Sequence, residues 1–296
     1  MRKFRKLPTS LMIPLLLVSL FFALPVYSEG FKLKKVGSHY EPELIGESIT
    51  LPDTEIRAGT YKYISDNVGE IEKLGFLVNS RQFYFVQSNE YSHCDEANYG
   101  VNKGYFVIDG WGYGSVSGHN RLMFLFRYDK DYVRLLDVIG QAYVASYGMD
   151  FVSITNPKEK RGYLSPLKTD VKDVDGNGRP EIKIEIYTGD KSPPAFELYL
   201  EIVNDRLQVN FNSKLYKPLF ENVKRKYKGK IKPVSYYVYG FLMKRIGIER
   251  IKTELAGDKD RFYVVKLLEN VDKWNSAFHD LGDEKFELLQ YNLSRR

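Results

Sequence analysis

The chain is poor in the residues that staple or catalyse. A single cysteine, Cys94, stands among 296 residues, so no internal disulfide can form and the fold must rest on burial. Four histidines are too few, and too scattered, to make paired Cys/His zinc ligation. The one soft cluster, His93, Cys94, Asp95 and Glu96, with His119 nearby, reads as a buried thiol beside a polar turn, because neighbours in sequence point in different directions. No G-x-S-x-G, phosphate-loop or H-E-x-x-H pattern occurs, which leaves no residue to name as a nucleophile or catalytic base. Only one long apolar run exists, from Leu11 to Val26. It is interrupted by Pro14 and Pro25 and falls short of the ~18 residues expected of a spanning helix.

That run follows Arg2, Lys3, Arg5 and Lys6 and precedes small residues, with Val26 and Ser28 at the −3 and −1 places of a signal-peptidase site. Residues 1–28 are therefore expected to be a cleaved signal peptide, with a retained amino-terminal anchor as the alternative. The destination is the periplasm or the cell exterior. Cys94 lies far from the cleavage point, so a lipoprotein is not expected.

The formal charge of +6 is unevenly spread. Residues 214–252 hold twelve Lys or Arg against Glu221 and Glu249, whereas residues 29–213 sum to −6. A mildly acidic domain followed by a basic segment is the better description. The run Lys224 to Lys232, "KRKYKGKIK", could meet an anionic surface, although nucleic acid is not an expected partner of an exported protein.

Period-two alternation dominates residues 29–212. In "PEIKIEIYTG" Ile182, Ile184 and Ile186 oppose Lys183, Glu185 and Tyr187. In "FELYLEIVNDRLQVNF" Leu198, Leu200 and Ile202 do the same before a hairpin turn at Asn204-Asp205. Upstream, strands are expected around Phe106 to Ile108, Leu122 to Tyr128 and Tyr132 to Val138, with a glycine-rich loop between the first two. The two stretches resemble each other loosely and suggest a duplicated hairpin module. In that loop Tyr105, Trp111, Tyr113 and His119 are candidate ligand contacts, since exposed rings among glycines can stack on a sugar. The plainer reading is that they finish a sheet.

Beyond residue 213 the period lengthens. Val264, Leu267, Val271, Trp274, Phe278 and Leu281 form a helical stripe, and "PVSYYVYGFLMKRIG", "GIERIKTELAG" and "DEKFELLQYNL" read as further helices. The expected fold is α+β. An antiparallel, mainly-β domain (29–212), sandwich-like or a propeller fragment, leads through a basic connector (213–232) to a small helical unit (233–296).

One stretch carries chemistry. "DVDGNGRPEIKI" sets Asp173, Asp175 and Asn177 at positions one, three and five, Gly178 at six and Glu181 at nine, with the Arg179 carbonyl at seven. Acceptors at alternate positions on a tightly curved backbone can converge on a hard cation such as calcium. An EF-hand needs glutamate at position twelve, where this chain has Ile184, so that reading fails. The segment from about 165 to 212 resembles the calcium loop of FG-GAP or VCBS-type repeats, D-x-D/N-x-D/N-G-x-x-D/E followed by a strand. The resemblance implies a structural Ca2+ held by Asp173, Asp175, Asn177, Glu181 and the Arg179 backbone. The motif occurs once, with glutamate where aspartate is common. The alternative is a polar turn capping a strand without metal.

The function expected from all this is an exported binding or structural module with a calcium-stabilised loop, its partner a glycan or another envelope protein. The alternative is an envelope hydrolase acting on glycans.

Overall fold

Alternating residues become strands largely where the pattern asks for them. The computed structural model describes residues 31–32, 34–36, 39–41, 43–65, 69–79, 82–88, 94–114, 118–140, 150–153, 164–166, 170–187, 195–228, 231–258, 261–281 and 285–292. In chain order the first strands are β1 (Phe31–Lys32), β2 (Lys34–Val36), β3 (His39–Glu41), β4 (Glu43–Thr50), β5 (Arg57–Ser65), β6 (Gly69–Val78) and β7 (Gln82–Ser88). There follow β8 (Cys94–Asn102), β9 (Tyr105–Gly114), β10 (Gly118–Asp129), β11 (Tyr132–Gly140), β12 (Asp150–Ser153) and β13 (Leu164–Pro166). Next come β14 (Glu181–Tyr187), β15 (Phe196–Val203) and β16 (Arg206–Val209). Helices α1 (Ser213–Lys226), α2 (Val234–Leu242), α3 (Ile248–Leu255), α4 (Tyr263–Glu269) and α5 (Trp274–His279) precede a last strand, β17 (Phe286–Asn292). The architecture is α+β, mainly antiparallel sheet in the first two thirds.

Among the described residues β2 pairs with β3, and the remaining strands form three sheets. One runs β1-β5-β6-β7-β17 with β4 beside β5, the second β11-β10-β9-β8-β13 and the third β12-β14-β15-β16. The second is the middle layer, and the reason is legible in its side chains. Along β9 and β10, Phe106, Ile108, Leu122, Phe124 and Phe126 join Leu74 and Phe76 of the first sheet in one buried cluster. Val107, Met123 and Leu125, on the opposite face, join Ile182, Ile184, Leu198 and helix residues such as Val238 and Leu267 in another. A strand buried on both faces reads as a continuous apolar run, as "LMFLF" does. The two look-alike stretches form separate three-stranded meanders, β9-β10-β11 in the middle sheet and β14-β15-β16 in the third.

Tight turns follow their chemistry. Asn204 and Asp205 take φ of 50° and 62°, the two left-handed residues of a two-residue hairpin. Elsewhere the structure corrects the reading. "GWGYG" (110–114) is not a loop but the end of β9, paired with β10 throughout and with β8 at Gly110 and Gly112. Backbone pairing holds these glycines extended, where local propensity alone would release them. The stripe from Val264 to Leu281 is not one helix. It breaks at Asn270 (φ −111°, ψ 24°), passes through a 3-10 turn, Val271–Lys273, and restarts as α5. "DEKFELLQYNL" is not a helix, since Phe286–Asn292 pairs antiparallel with β7 and sends Phe286 and Leu288 onto the first core cluster. The edge of β7 supplies hydrogen-bond partners that outweigh helix propensity.

Helices α1 and α2 also complete the third sheet. Strand β16 pairs only with Leu200–Val203, so the Phe196–Tyr199 half of β15, paired with β14 on one edge, has no strand on the other among the described residues. Tyrosine hydroxyls supply the acceptors there. Tyr239 Oη accepts from the Glu197 amide at 2.7 Å, and Tyr216 Oη accepts from the Tyr199 amide at 3.5 Å while donating to the Asn210 carbonyl at 2.6 Å. Burial pushes both phenols far above their ordinary pKa.

Candidate metal centre

Strand β14 begins where the loop ends. An isolated bridge between Lys172 and Glu181, with both amide–carbonyl bonds made (3.2 and 2.9 Å), pins the two ends of the loop together. Val171, buried, roots it in the core. Between these points the chain turns sharply at Gly176 and Gly178, with φ of 82° and 86°, a region that glycine enters without steric cost.

Asp173 organises the curve. Its Oδ1 accepts from the amides of Gly176 (2.7 Å) and Asn177 (3.1 Å), and its Oδ2 from the amide of Gly178 (2.8 Å). Those bonds, the Gly178 amide first, hold its carboxyl below the usual aspartate range. Asp175 Oδ1 accepts from the Asn177 amide at 3.0 Å. Glu181, although it belongs to a strand, turns its carboxylate back, and Oε2 takes the Val174 amide at 2.5 Å. Burial raises the Glu181 carboxyl above its ordinary pKa, and the charges of Asp175, Asp173 and Glu201 push the same way. The structure thus brings together Asp173, Asp175 and Glu181, each offering an oxygen, all within 4.8 Å of one another.

The side chains of Asn177 and Arg179 also reach beyond the loop, to Glu201. Asn177 gives its Oδ1 to the Arg179 amide at 2.8 Å and its side-chain NH2 to Glu201 Oε1. Arg179 sends its guanidinium to Glu201 Oε2 at 3.3 Å. Three residues absent from the motif complete the site. Glu201 lies directly opposite Glu181 in the β14–β15 register, a like-charge pair that needs compensation, and Arg179 and Asn177 supply part of it. Asn210 Nδ2 donates to both Asp175 Oδ2 and Glu181 Oε1 at 3.2 Å, and Asn212 Nδ2 donates to Asp175 Oδ2 at 2.7 Å. Amide orientation is set by the backbone: Asn210 Oδ1 accepts from the Asn212 amide (2.8 Å), and Asn212 Oδ1 accepts from the Lys214 amide (3.1 Å), capping α1. Turn chemistry does not announce Glu201, because counting back through the Asn204-Asp205 hairpin sets it against Gln208, and its pairing with Glu181 belongs to the β14–β15 register.

The donor set is all oxygen, three of its groups carboxylates, and it suits a hard divalent ion in place of a thiolate-loving one. Amide donors that now balance the carboxylates stand where positive charge is favourable.

The other candidates separate. Tyr105 donates its hydroxyl to Asp205 Oδ1 at 3.1 Å and lies under the Arg127 guanidinium, 4.6 Å from the ring centre, tying the middle sheet to the third. Trp111 and Tyr113 on β9 and His119 on β10 share one hairpin, Tyr113 opposite His119, and their side chains lie outside the described residues. His93 lies outside them as well, and so do the side chains of Cys94, Asp95 and Glu96.

A second polar feature has no motif to announce it. An open groove of about 630 Å³ between β7, β11, β16, α5 and β17 is lined by Tyr84, Asp137, Arg206, His279 and Glu287, among others. In it His279 Nε2 meets buried Asp137 Oδ2 at 2.9 Å, and Nδ1 meets the Asn275 carbonyl at 2.7 Å. A backbone carbonyl on one ring nitrogen and a carboxylate on the other favour the doubly protonated ring. Its bond to Asp137 lifts the His279 pKa, and the Asn275 carbonyl adds to that. Asp137 Oδ2 also accepts from the Leu207 amide at 2.7 Å.

Compared with protein families, curated proteins and solved structures, the chain matches none.

Proposed function

We propose that this chain is an exported binding or structural module in which a calcium ion staples the loop Asp173–Glu181 to the head of β14. What carries the reading is the convergence of three carboxylate-bearing residues within 4.8 Å of one another on a double-glycine curve. Asp173, Asp175 and Glu181 would hold the ion. Asn177 Oδ1 accepts the Arg179 amide and keeps a second lone pair with which it would join. The loop's resemblance to FG-GAP and VCBS-type repeats points the same way, and so do the leader-like residues 1–28, since extracellular modules work with dissociation constants near 10⁻⁴ to 10⁻³ M. The β9–β10 hairpin bearing Trp111, Tyr113 and His119 is the contact surface proposed for a glycan or an envelope protein.

The reading in which the chain is an envelope hydrolase acting on glycans needs an acid and a base free to move protons. In the groove beside α5, His279 has both nitrogens engaged and Asp137 is held by two donors. The module is therefore favoured.

A thermal melt in EGTA and then across about 0.1 to 10 mM calcium tests the staple. With free calcium at about one to ten times the dissociation constant, the gain is about 0.4 to 1.4 kcal/mol, or about 1 to 5 °C in Tm. The Asp173→Ala/Asp175→Ala variant loses baseline stability through its unsatisfied loop amides, so the diagnostic quantity is the calcium-dependent shift. That shift should vanish in the variant. A wild-type melt indifferent to calcium reduces the loop to a polar turn.

A further inference from the structure

Helix α1 presents a run of cations that the fold itself does not explain. Lys214, Lys217, Lys224 and Arg225 fall within one face of the 14-residue helix, about 21 Å long, opposite buried Leu215, Tyr216 and Phe220. Lys226 and Lys228 extend the charge into the following turn, and all six are exposed. The only acid on the helix, Glu221, is already paired with Arg245 at 2.7 Å, and that contact brings the exposed Lys244–Arg245 turn alongside. Among the described residues none of the six meets a carboxylate, in contrast to α3, where Arg250 and Lys252 are matched by Glu254, Glu249 and Glu269. Lys232, at the end of the basic run, is likewise matched by Glu254 at 2.8 Å. The uncompensated surface is therefore the helix face and not the connector as a whole.

Helix electrostatics account for Lys224, Arg225 and Lys226, which sit in the last turn where cations are favoured. They do not account for Lys214 and Lys217, placed near the helix start where cations are disfavoured and where the first turn holds no acid. A partner outside the chain does account for them. Three residues beyond Lys228 in sequence, Ile231 is 76% exposed, the most exposed of the large apolar residues described. Tyr227 stands at the C-terminal end of α1, with the Lys226 ammonium 5.4 Å from its ring centre. A hydrated polyanion offers phosphate or carboxylate charge but nothing for Ile231. A bilayer interface offers both.

We propose that the α1 face, Lys214, Lys217, Lys224, Arg225 and Lys228 with Ile231 following in sequence, docks on an anionic phospholipid surface. Each Lys or Arg near such a surface strengthens partitioning by about fivefold, in a salt-sensitive way. This docking is independent of the calcium loop.

The test is cosedimentation of the whole chain, purified as it leaves the cell, with phosphatidylcholine vesicles and with vesicles that also contain phosphatidylglycerol, at low and high salt. Arg2, Lys3, Arg5 and Lys6 would also favour the anionic vesicles, so the α1 contribution is read from variants that leave the amino terminus unchanged. Excess binding to the anionic vesicles that disappears at high salt is the expected result. Lys217→Ala/Lys224→Ala/Arg225→Ala should weaken the excess about a hundredfold while the chain still melts cooperatively within a few degrees of the wild type, since all three side chains are exposed and only the helix-end charges are lost. Lys217→Arg/Lys224→Arg should retain it, and Ile231→Ser should lower it several-fold without altering its salt dependence. Equal binding to both vesicle types, no binding, a triple variant that binds like the wild type, or capture on soluble dextran sulfate without capture on vesicles would each overturn the proposal.

Discussion

Asn210 carries no charge and lies 29 residues from Glu181 in sequence, yet its amide faces two of the loop carboxylates at once. It is 6% exposed, so the bonds it makes are not replaceable by water. Asn210→Asp would bring a further carboxylate against Asp175 and Glu181 and remove their shared donor. In EGTA this variant should lose about 2 to 3 kcal/mol. Calcium should restore more of its Tm than it adds to the wild type, which paired melts would read directly. An equal loss in EGTA and in calcium would mean that no ion enters between these groups. The motif spacing makes Asp173, Asp175 and Glu181 legible because all three belong to one tight curve of chain. Asn210 and Asn212 are not legible there, because only the β15–β16 hairpin swings them back over the loop.

At the scale of elements, the free edge of the Phe196–Tyr199 half of β15 is closed by side chains instead of by a strand. Tyr239→Phe keeps the ring in its place but leaves the Glu197 amide without its acceptor. A cost of about 1 to 3 kcal/mol is expected, together with faster hydrogen exchange at Glu197. An unchanged exchange rate would show that the hydroxyl bond is dispensable. The last strand provides a second check. If Phe286–Asn292 pairs with β7 as it does here, amides along β17 should show strand-like alternation in protection, and not the uniform protection of a helix. Its residues are ambiguous by local criteria, since "FELLQYN" fits either period over so short a span.

The whole molecule is joined across its layers at His279. Through Asp137 and the Leu207 amide, the imidazole ring connects the end of α5 to the middle sheet and to β16. Arg206, Arg134 and Glu287 line the same groove; the Arg206 charge opposes protonation, while the C-terminal position in α5 favours it. The folded pKa is raised above its ordinary 6.5, so the stabilisation is complete below 6.5 and is lost as pH rises through the folded value. Stability should therefore fall on going from mildly acidic to mildly alkaline buffer. His279→Gln should flatten that slope in a pH series of denaturant melts. A slope that survives the substitution would assign it to other groups.

Period and turn chemistry were properties of the sequence by itself: the alternating strands, the Asn204-Asp205 hairpin, the two-glycine curve with its carboxylates and the change to helical spacing after residue 213. Each depends on residues only a few places apart, where backbone sterics and side-chain direction act without help from the rest of the chain. Tertiary structure decided the remainder. It placed β17 on the edge of β7, broke the last helix at Asn270, held "GWGYG" extended against its neighbouring strands, and set Glu201 and the Asn210–Asn212 amides around the loop. These outcomes turn on which unsatisfied backbone edge or buried charge comes within reach once the sheets have stacked, and that is a property of neighbours far apart in sequence.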